Sequence, residues 1–379
     1  QTLNTTGANN VATGIYALVA NTTGDNNVAA GYNALGGNTT ADDNTAIGYR
    51  ALQANTTGTP NTAVGAYALD ANTTGGYNVA IGANALDANT AGIENVAIGV
   101  HALGTQTSGA HYNTAVGHEA MKGNTTGDGN TAMGYKALLD NTGADFNTAV
   151  GYHALLVNTT GANNTAIGRL SLDANTTAGG NTAVGGHSLT ANTTGTYNTA
   201  VGGSALAANT TAGYNTSIGY QALQANTTGE RNVVIGYQAG FGITTGDANI
   251  MIGDNSVANG TGTGSNNVGV GKRALYDLTS GTYNTGAGYY TLYNVTTGST
   301  NTAFGTQCGY YVTTGGNNVF IGTDAGMGSS PSGSVTTGSN KVVLGNNSTT
   351  DLYCADTSIS SSDQRDKTDV EDYPSSGGL

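Results

Sequence analysis

Between residues 10 and 345 hydrophobic and polar positions recur with a period of 17, and the phrases are anchored on N-[T/V]-A-[I/V]-G or a close variant of it. The anchoring asparagine falls at Asn10, Asn27, Asn44, Asn61, Asn78 and Asn95. It then steps by 17 from Asn113 to Asn249, and again from Asn267 to Asn318. Steps of 18 separate Asn95 from Asn113 and Asn249 from Asn267, and a looser copy, NKVVLG, opens at Asn340 after 22. The fourth position is aliphatic (Ile47, Val64, Ile81) and the ninth is Leu (Leu52, Leu69, Leu86). Both are expected to stack from copy to copy as core columns. The eighth is small (Ala51, Ala68, Ser171), and Cys308 takes that slot as a buried substitute for Ala. The sixth, seventh, tenth, sixteenth and seventeenth positions vary and should face water.

The β-branched residues of NTAI and NVAI favour strand. Glycine at the fifth and fifteenth positions marks corners expected to need positive φ or a tight bend. Seventeen residues is too short for a helix-pair repeat. Each phrase therefore predicts two short strands and two corners, one rung of an all-β parallel β-solenoid or β-roll. Asparagines at the first and twelfth positions (Asn44, Asn61, Asn78; Asn55, Asn72) can ladder from rung to rung. About twenty rungs spaced by about 4.8 Å give a rod of roughly 95 Å. So thin a coil buries little by itself. Ala at the third, eighth and eleventh positions and Asn-Thr-Thr at the twelfth to fourteenth call for further neighbours, and a homotrimer supplies them equally to every copy.

The chain divides into a regular shaft (1–231), a degenerate distal solenoid (232–345) and a polar linker (346–379). In the distal part the Leu slot becomes Gly240, Val257, Gly309 and Gly326. Phe304 and Phe320 are expected to enter the core there, and Tyr289, Tyr290 and Tyr293 cluster.

Composition sharpens this picture. With 61 glycines, no Trp and 9% charged residues the 379-residue chain borders on low complexity, but fixed phase argues for folding. A net charge of −13 without a basic stripe argues against nucleic acid as a partner. No apolar run reaches membrane-spanning length, so no membrane insertion is expected. Two cysteines, Cys308 and Cys354, make no disulfide framework.

Candidate chemistry is sparse. His101, His153 and His187 share the seventh position, with His118 one slot earlier. They lack a third ligand on adjacent rungs, so no metal or cofactor is expected. Asp42 and Asp43 read as an exposed turn. Asp70, Asp87 and Asp173 share the tenth position without a second acidic column, which argues against glycan hydrolysis. Asn-Thr-Thr matches the N-glycosylation sequon, but a buried ladder explains the same letters. A Thr ladder would bind ice only with its hydroxyls exposed, and burial is expected instead. Tyr49, Tyr135, Tyr152 and Tyr220 follow the first glycine and are candidate receptor contacts.

NTAIG and NVAIG followed by small residues resemble the head repeats of trimeric autotransporter adhesins, whose N-S-V-A-I-G phrases form a parallel β-roll with shorter rungs. SSDQRDKTDVED, from Ser361, resembles the opening of the C-terminal intramolecular chaperone of phage tail fibres and tailspikes, which begins Ser-Asp-x-Arg-x-Lys. The match falls on Ser362, Asp363, Arg365 and Lys367. It implies a trimerising domain and one self-cleavage, with Ser362 and Lys367 as the dyad. The expectation is a non-enzymatic phage tail fibre in the virion tail, self-associated as a homotrimer, that meets a host glycan or protein. The alternatives are a bacterial trimeric adhesin or extracellular filament, a polysaccharide-degrading tailspike and an ice-binding solenoid.

Overall fold

A run such as Thr-Ala-Ile in a strand must send successive side chains to opposite faces, and that alternation sets the cross-section. The computed structural model describes residues 4–107, 109–259 and 262–350. The second to fourth positions of each phrase form its strand, from β1 (Val11–Thr13) to β20 (Val342–Leu344). The strands make one parallel 20-stranded sheet in which each copy pairs with the next, as in Thr45↔Thr62, Ala46↔Ala63 and Ile47↔Val64. The chain is a β-solenoid with rungs of about 17 residues and no helix among the described residues.

The 18-residue steps leave the register intact, since Val96 pairs with Thr114 and Ile250 with Val268. The sheet also runs on through residue 232, where β13 (Thr216–Ile218) pairs with β14 (Val233–Ile235). The last copy differs from its expected phase. Val319 pairs with Val342, so Lys341, and not Asn340, follows Asn318 in the column. The extra residues form turns between Gly326 and Val335, closed by a 2.9 Å bond from the Val335 N–H to the Gly326 carbonyl.

Inside each rung the third-position Ala and the ninth-position Leu are fully buried (Ala46, Ala63; Leu52, Leu69, Leu86). Burying each Leu contributes about 1.5–3 kcal/mol. The fourth position is not core. Ile47 is 43% exposed and Ile81 38%, and Val64 is half-buried. This corrects the expected Ile47–Val64–Ile81 core column. Ala claims the inward side, so the next residue in the strand must point out. The expected shortage of neighbours also disappears, because the third and eighth alanines and both asparagine columns are buried within one chain.

The second strand of each rung is replaced by turns. The seventh and ninth residues lie in the left-handed region, as at Arg50 (φ 56°) and Leu52 (φ 53°). The backbone still ladders there: the Leu52 N–H donates to Ala68 O at 2.9 Å and the Ala54 N–H to Asp70 O at 3.0 Å. A left-handed Leu costs about 1–2 kcal/mol, the same order as its burial contributes. Gly48, at the fifth position, has φ 137°, open in practice only to Gly. Gly58, at the fifteenth, does not have positive φ. A Cβ built there would approach the Gly75 carbonyl oxygen of the next rung, a contact the solenoid accommodates where the same position is Ala, as at Ala41 and Ala144.

In the distal rungs large and small residues trade places. Phe320 is fully buried at the third position, while Gly309 and Gly326 take the ninth. Phe304 falls at the fourth position and is exposed, which corrects its expected place in the core. The twelfth position turns from Asn to buried Ile243, Leu278, Val295 and Val312.

Candidate functional surfaces

Two asparagine columns tie the rungs together. At the twelfth position Asn55 Nδ2 donates to Asn38 Oδ1 (3.1 Å) and to Gly58 O (3.0 Å), and Asn72 repeats the pattern onto Asn55 (2.9 Å) and Gly75 O (2.9 Å). At the first position the Asn61 N–H donates to Asn44 Oδ1 (2.9 Å), and Asn61 Nδ2 reaches Gly75 O (2.9 Å). Asn78 continues this column onto Asn61 Oδ1. All six side chains are buried. The twelfth-position column ends at Asn226, whose Oδ1 is buried without a partner because Ile243 follows it with no donor.

The Asn-Thr-Thr sequon is thus a structural ladder with no accessible amide. The first Thr joins it, as Thr56 Oγ1 donates to Thr73 O at 3.0 Å. The second Thr does not. Thr40, Thr57 and Thr74 are exposed, contrary to the expected burial of the Thr hydroxyls.

The candidate receptor residues Tyr49, Tyr135, Tyr152 and Tyr220 are 42–51% exposed, with Tyr135 and Tyr152 in one patch and Tyr49 and Tyr220 each elsewhere. Tyr49 stacks on Tyr32 (5.4 Å, 11°), Tyr135 on Tyr152 (5.5 Å, 13°) and Tyr220 on Tyr237 (5.7 Å, 17°). Rings stacked along the axis cover one another's faces and leave edges and hydroxyls to solvent.

Several charged residues find partners on their own or neighbouring rungs, although Asp70 Oδ1, Asp87 Oδ1 and His153 Nε2 stay buried without one. Glu119 meets Lys122 (2.8 Å) and Lys136 (3.5 Å), and the Lys122 hydrogen bond leads in holding its carboxyl below the usual range. His153 stacks on Tyr152 (3.9 Å), and burial, then Lys136, hold its imidazole below the ordinary value. His187 Nε2 lies 2.8 Å from Arg169. Asp42 Oδ1 accepts the Asp25 N–H (2.7 Å), capping a corner of the rung before. Asp70 pairs with Arg50 (3.4 Å) and Asp173 accepts the Thr190 hydroxyl (2.6 Å). Among the described residues no three His, Cys, Asp or Glu side chains gather as metal ligands. Cys308 is buried, its Sγ donates to Gly322 O (2.8 Å), and burial pushes the thiol up to about 11. Ser362, Lys367 and Cys354 lie outside the described residues.

One cluster is larger than the sequence reading caught. Tyr276, Tyr293 and Tyr310 occupy the tenth position of three successive rungs and stack at 4.9 and 5.1 Å, with planes 10° and 6° apart. Tyr290 joins at 5.0 Å. Arg273 lies 5.3 Å from the Tyr276 ring and 5.5 Å from the Tyr290 ring, and its Nη1 donates to the Tyr290 hydroxyl at 2.7 Å. The missed signal was phase: Tyr276 and Tyr310 are separated from Tyr293 by one period each. No protein-family model matches the chain, and no curated protein matches it in sequence.

Proposed function

We propose that the chain is the shaft of a homotrimeric fibre, a phage tail fibre that reaches and attaches to a host surface. The observation that carries this reading is the outward face of the sheet. Its fourth-position side chains, from Ile47 and Ile81 through Ile167 and Ile235 to Ile321 and Leu344, form one exposed apolar row along the solenoid. The half-buried Thr or Val of the second position runs beside it. A long apolar row on a charge-poor rod is a surface suited to burial against identical rows. Three such rows around a common axis give a stiff fibre without altering the core of any chain. Native mass measurement of the purified chain tests this: a trimer is expected, and a monomer at micromolar concentration overturns it.

The tail-fibre assignment rests on the Ser362–Lys367 motif following the array. A cellular trimeric adhesin would use the same apolar face. Sequence encoded beyond Leu379 separates the two, a chaperone domain favouring the fibre and a membrane anchor the adhesin. In the fibre reading Ser362 is the nucleophile of a single self-cleavage and Lys367 its base.

A further inference from the structure

Along the shaft the seventh, tenth and eleventh positions carry mostly small or polar residues such as Gln53, Ala54, Asp70 and Lys122, with aliphatic exceptions such as Leu139, Leu156, Val157 and Leu170 and aromatic ones such as Tyr67. Over the rungs that begin at Asn267, Asn284 and Asn301 this strip becomes aromatic. The stacked column of Tyr276, Tyr293 and Tyr310 is packing, since its internal ring faces are covered. Beside it lies something the column does not require. A groove of about 560 Å³ runs between the eleventh and thirteenth positions, lined by Asp277, Asn294, Thr296, Tyr310, Tyr311, Thr313 and Thr336. Tyr311 is exposed and stands edge-on to Tyr310 (5.0 Å, 81°), which turns its ring out of the stack to form a wall. Asp277 and Asn294 supply polar groups from neighbouring rungs.

These groups are anchored and only partly used. Asp277 Oδ1 accepts from Asn259 Nδ2 (2.6 Å), and Asn294 Nδ2 donates to Tyr310 O (2.7 Å). Among the described residues, Asp277 Oδ2 and Asn294 Oδ1 have no protein partner. The Thr296 and Thr313 hydroxyls donate to the next rung's carbonyls and keep lone pairs for a ligand. The groove therefore offers fixed acceptors opposite an aromatic wall. We infer that this groove binds a neutral saccharide, with a pyranose ring against Tyr311 and its hydroxyls donating to Asp277 and Asn294. A ligand rich in O–H donors matches an acceptor-lined floor, and the C–H face of a sugar matches a ring face. Asp277 and the net charge of −13 disfavour acidic glycans. The nearby guanidinium of Arg273 is already engaged by Tyr276 and Tyr290.

This inference rests on the attachment reading and names its ligand class and place. The test is binding of the full chain to an array of neutral hexose and N-acetylhexosamine oligosaccharides, with sialylated and uronic-acid glycans alongside. Binding to neutral glycans is expected, weakened about tenfold or more in Tyr311→Ala and Asp277→Ala. Tyr77→Ala, exposed on the regular shaft, should bind as the parent does. Far-UV dichroism and native mass establish that each variant is folded and assembled. Recognition of acidic glycans alone, or neutral binding that survives Tyr311→Ala, overturns the proposal. A correctly assembled trimer that binds no neutral glycan removes this site and leaves the fibre reading standing.

Discussion

Phe320 shares with Leu292 the space that a side chain on Gly309 would need: a Cβ there would lie 2.9 Å from Phe320 Cδ2 and 2.7 Å from Leu292 Cδ2. Gly326, one rung further on, meets the same ring, with its Cβ position 2.5 Å from Cε1. One large residue at the third position thus replaces two leucines at the ninth. Phe320→Ala should destabilise the distal rungs by about 3–5 kcal/mol. Adding Gly309→Leu should recover part of that loss, because Leu292 already occupies the same slot with φ 50°. Amide hydrogen exchange on residues 300–345 reads both effects, and a double variant no more protected than Phe320→Ala would refute the compensation.

The apolar row predicts a separation of folding from assembly. Ile47→Lys and Ile81→Lys change outward side chains, so each chain should keep its β-sheet dichroism. Together they place charge in the proposed contact, where an unpaired buried charge costs several kcal/mol. Native mass should shift from trimer to monomer. A trimer that persists would move the contact to another face.

The asparagine ladder makes glycosylation and folding exclusive. Asn55 Nδ2 already serves two acceptors in a buried site. Chains produced through a eukaryotic secretory pathway should yield a folded fraction with the unmodified mass, and any chain glycosylated at Asn55 should be recovered unfolded. Asn55→Ala should cost about 1–3 kcal/mol by leaving Asn38 Oδ1 without its donor, while Gly58 O keeps the bond from Asn44 Nδ2 (3.0 Å), and denaturant unfolding reads the loss.

Cys308 should resist alkylation. With its thiol pushed up to about 11, it stays neutral and covered at pH 8, and it should react with iodoacetamide only after denaturation. A folded-state value above the ordinary 9.0 means that the fold binds this proton more tightly. Its stabilising contribution is therefore intact below pH 9 and is lost as pH rises through about 11. Labelling of Cys308 in folded protein at pH 8, located by peptide mapping, would contradict the burial.

How much of this was legible depended on which rule the residues obey. Leu52, the two asparagine columns and the solenoid itself follow from periodicity, because residues one period apart become neighbours. Ile47 was misplaced because an aliphatic residue at every copy reads as core. The period-2 alternation within NTAI, with Ala46 on one face and Ile47 on the other, held the correction. Left-handed Leu52 left no local trace, since Leu is a poor marker of that conformation and only the rung's closure imposes it. The distal tyrosine stack was half visible, and the groove beside it was not. Tyr289, Tyr290 and Tyr293 are close in sequence, but Tyr276 and Tyr310 join only when the chain is wound.

The fifth-position glycines have a consequence for how such a gene can change. Gly48 sits directly under the Gly65 carbonyl, and each copy repeats this contact with its neighbour. A rung has no slack along the axis there, so extra residues must loop out at a corner, as those between Gly326 and Val335 do. Loss or gain of one whole phrase leaves every such contact unchanged. Reach therefore varies in quanta of one rung, and slippage between near-identical copies of the DNA can reset the length of the rod while every cross-section stays the same.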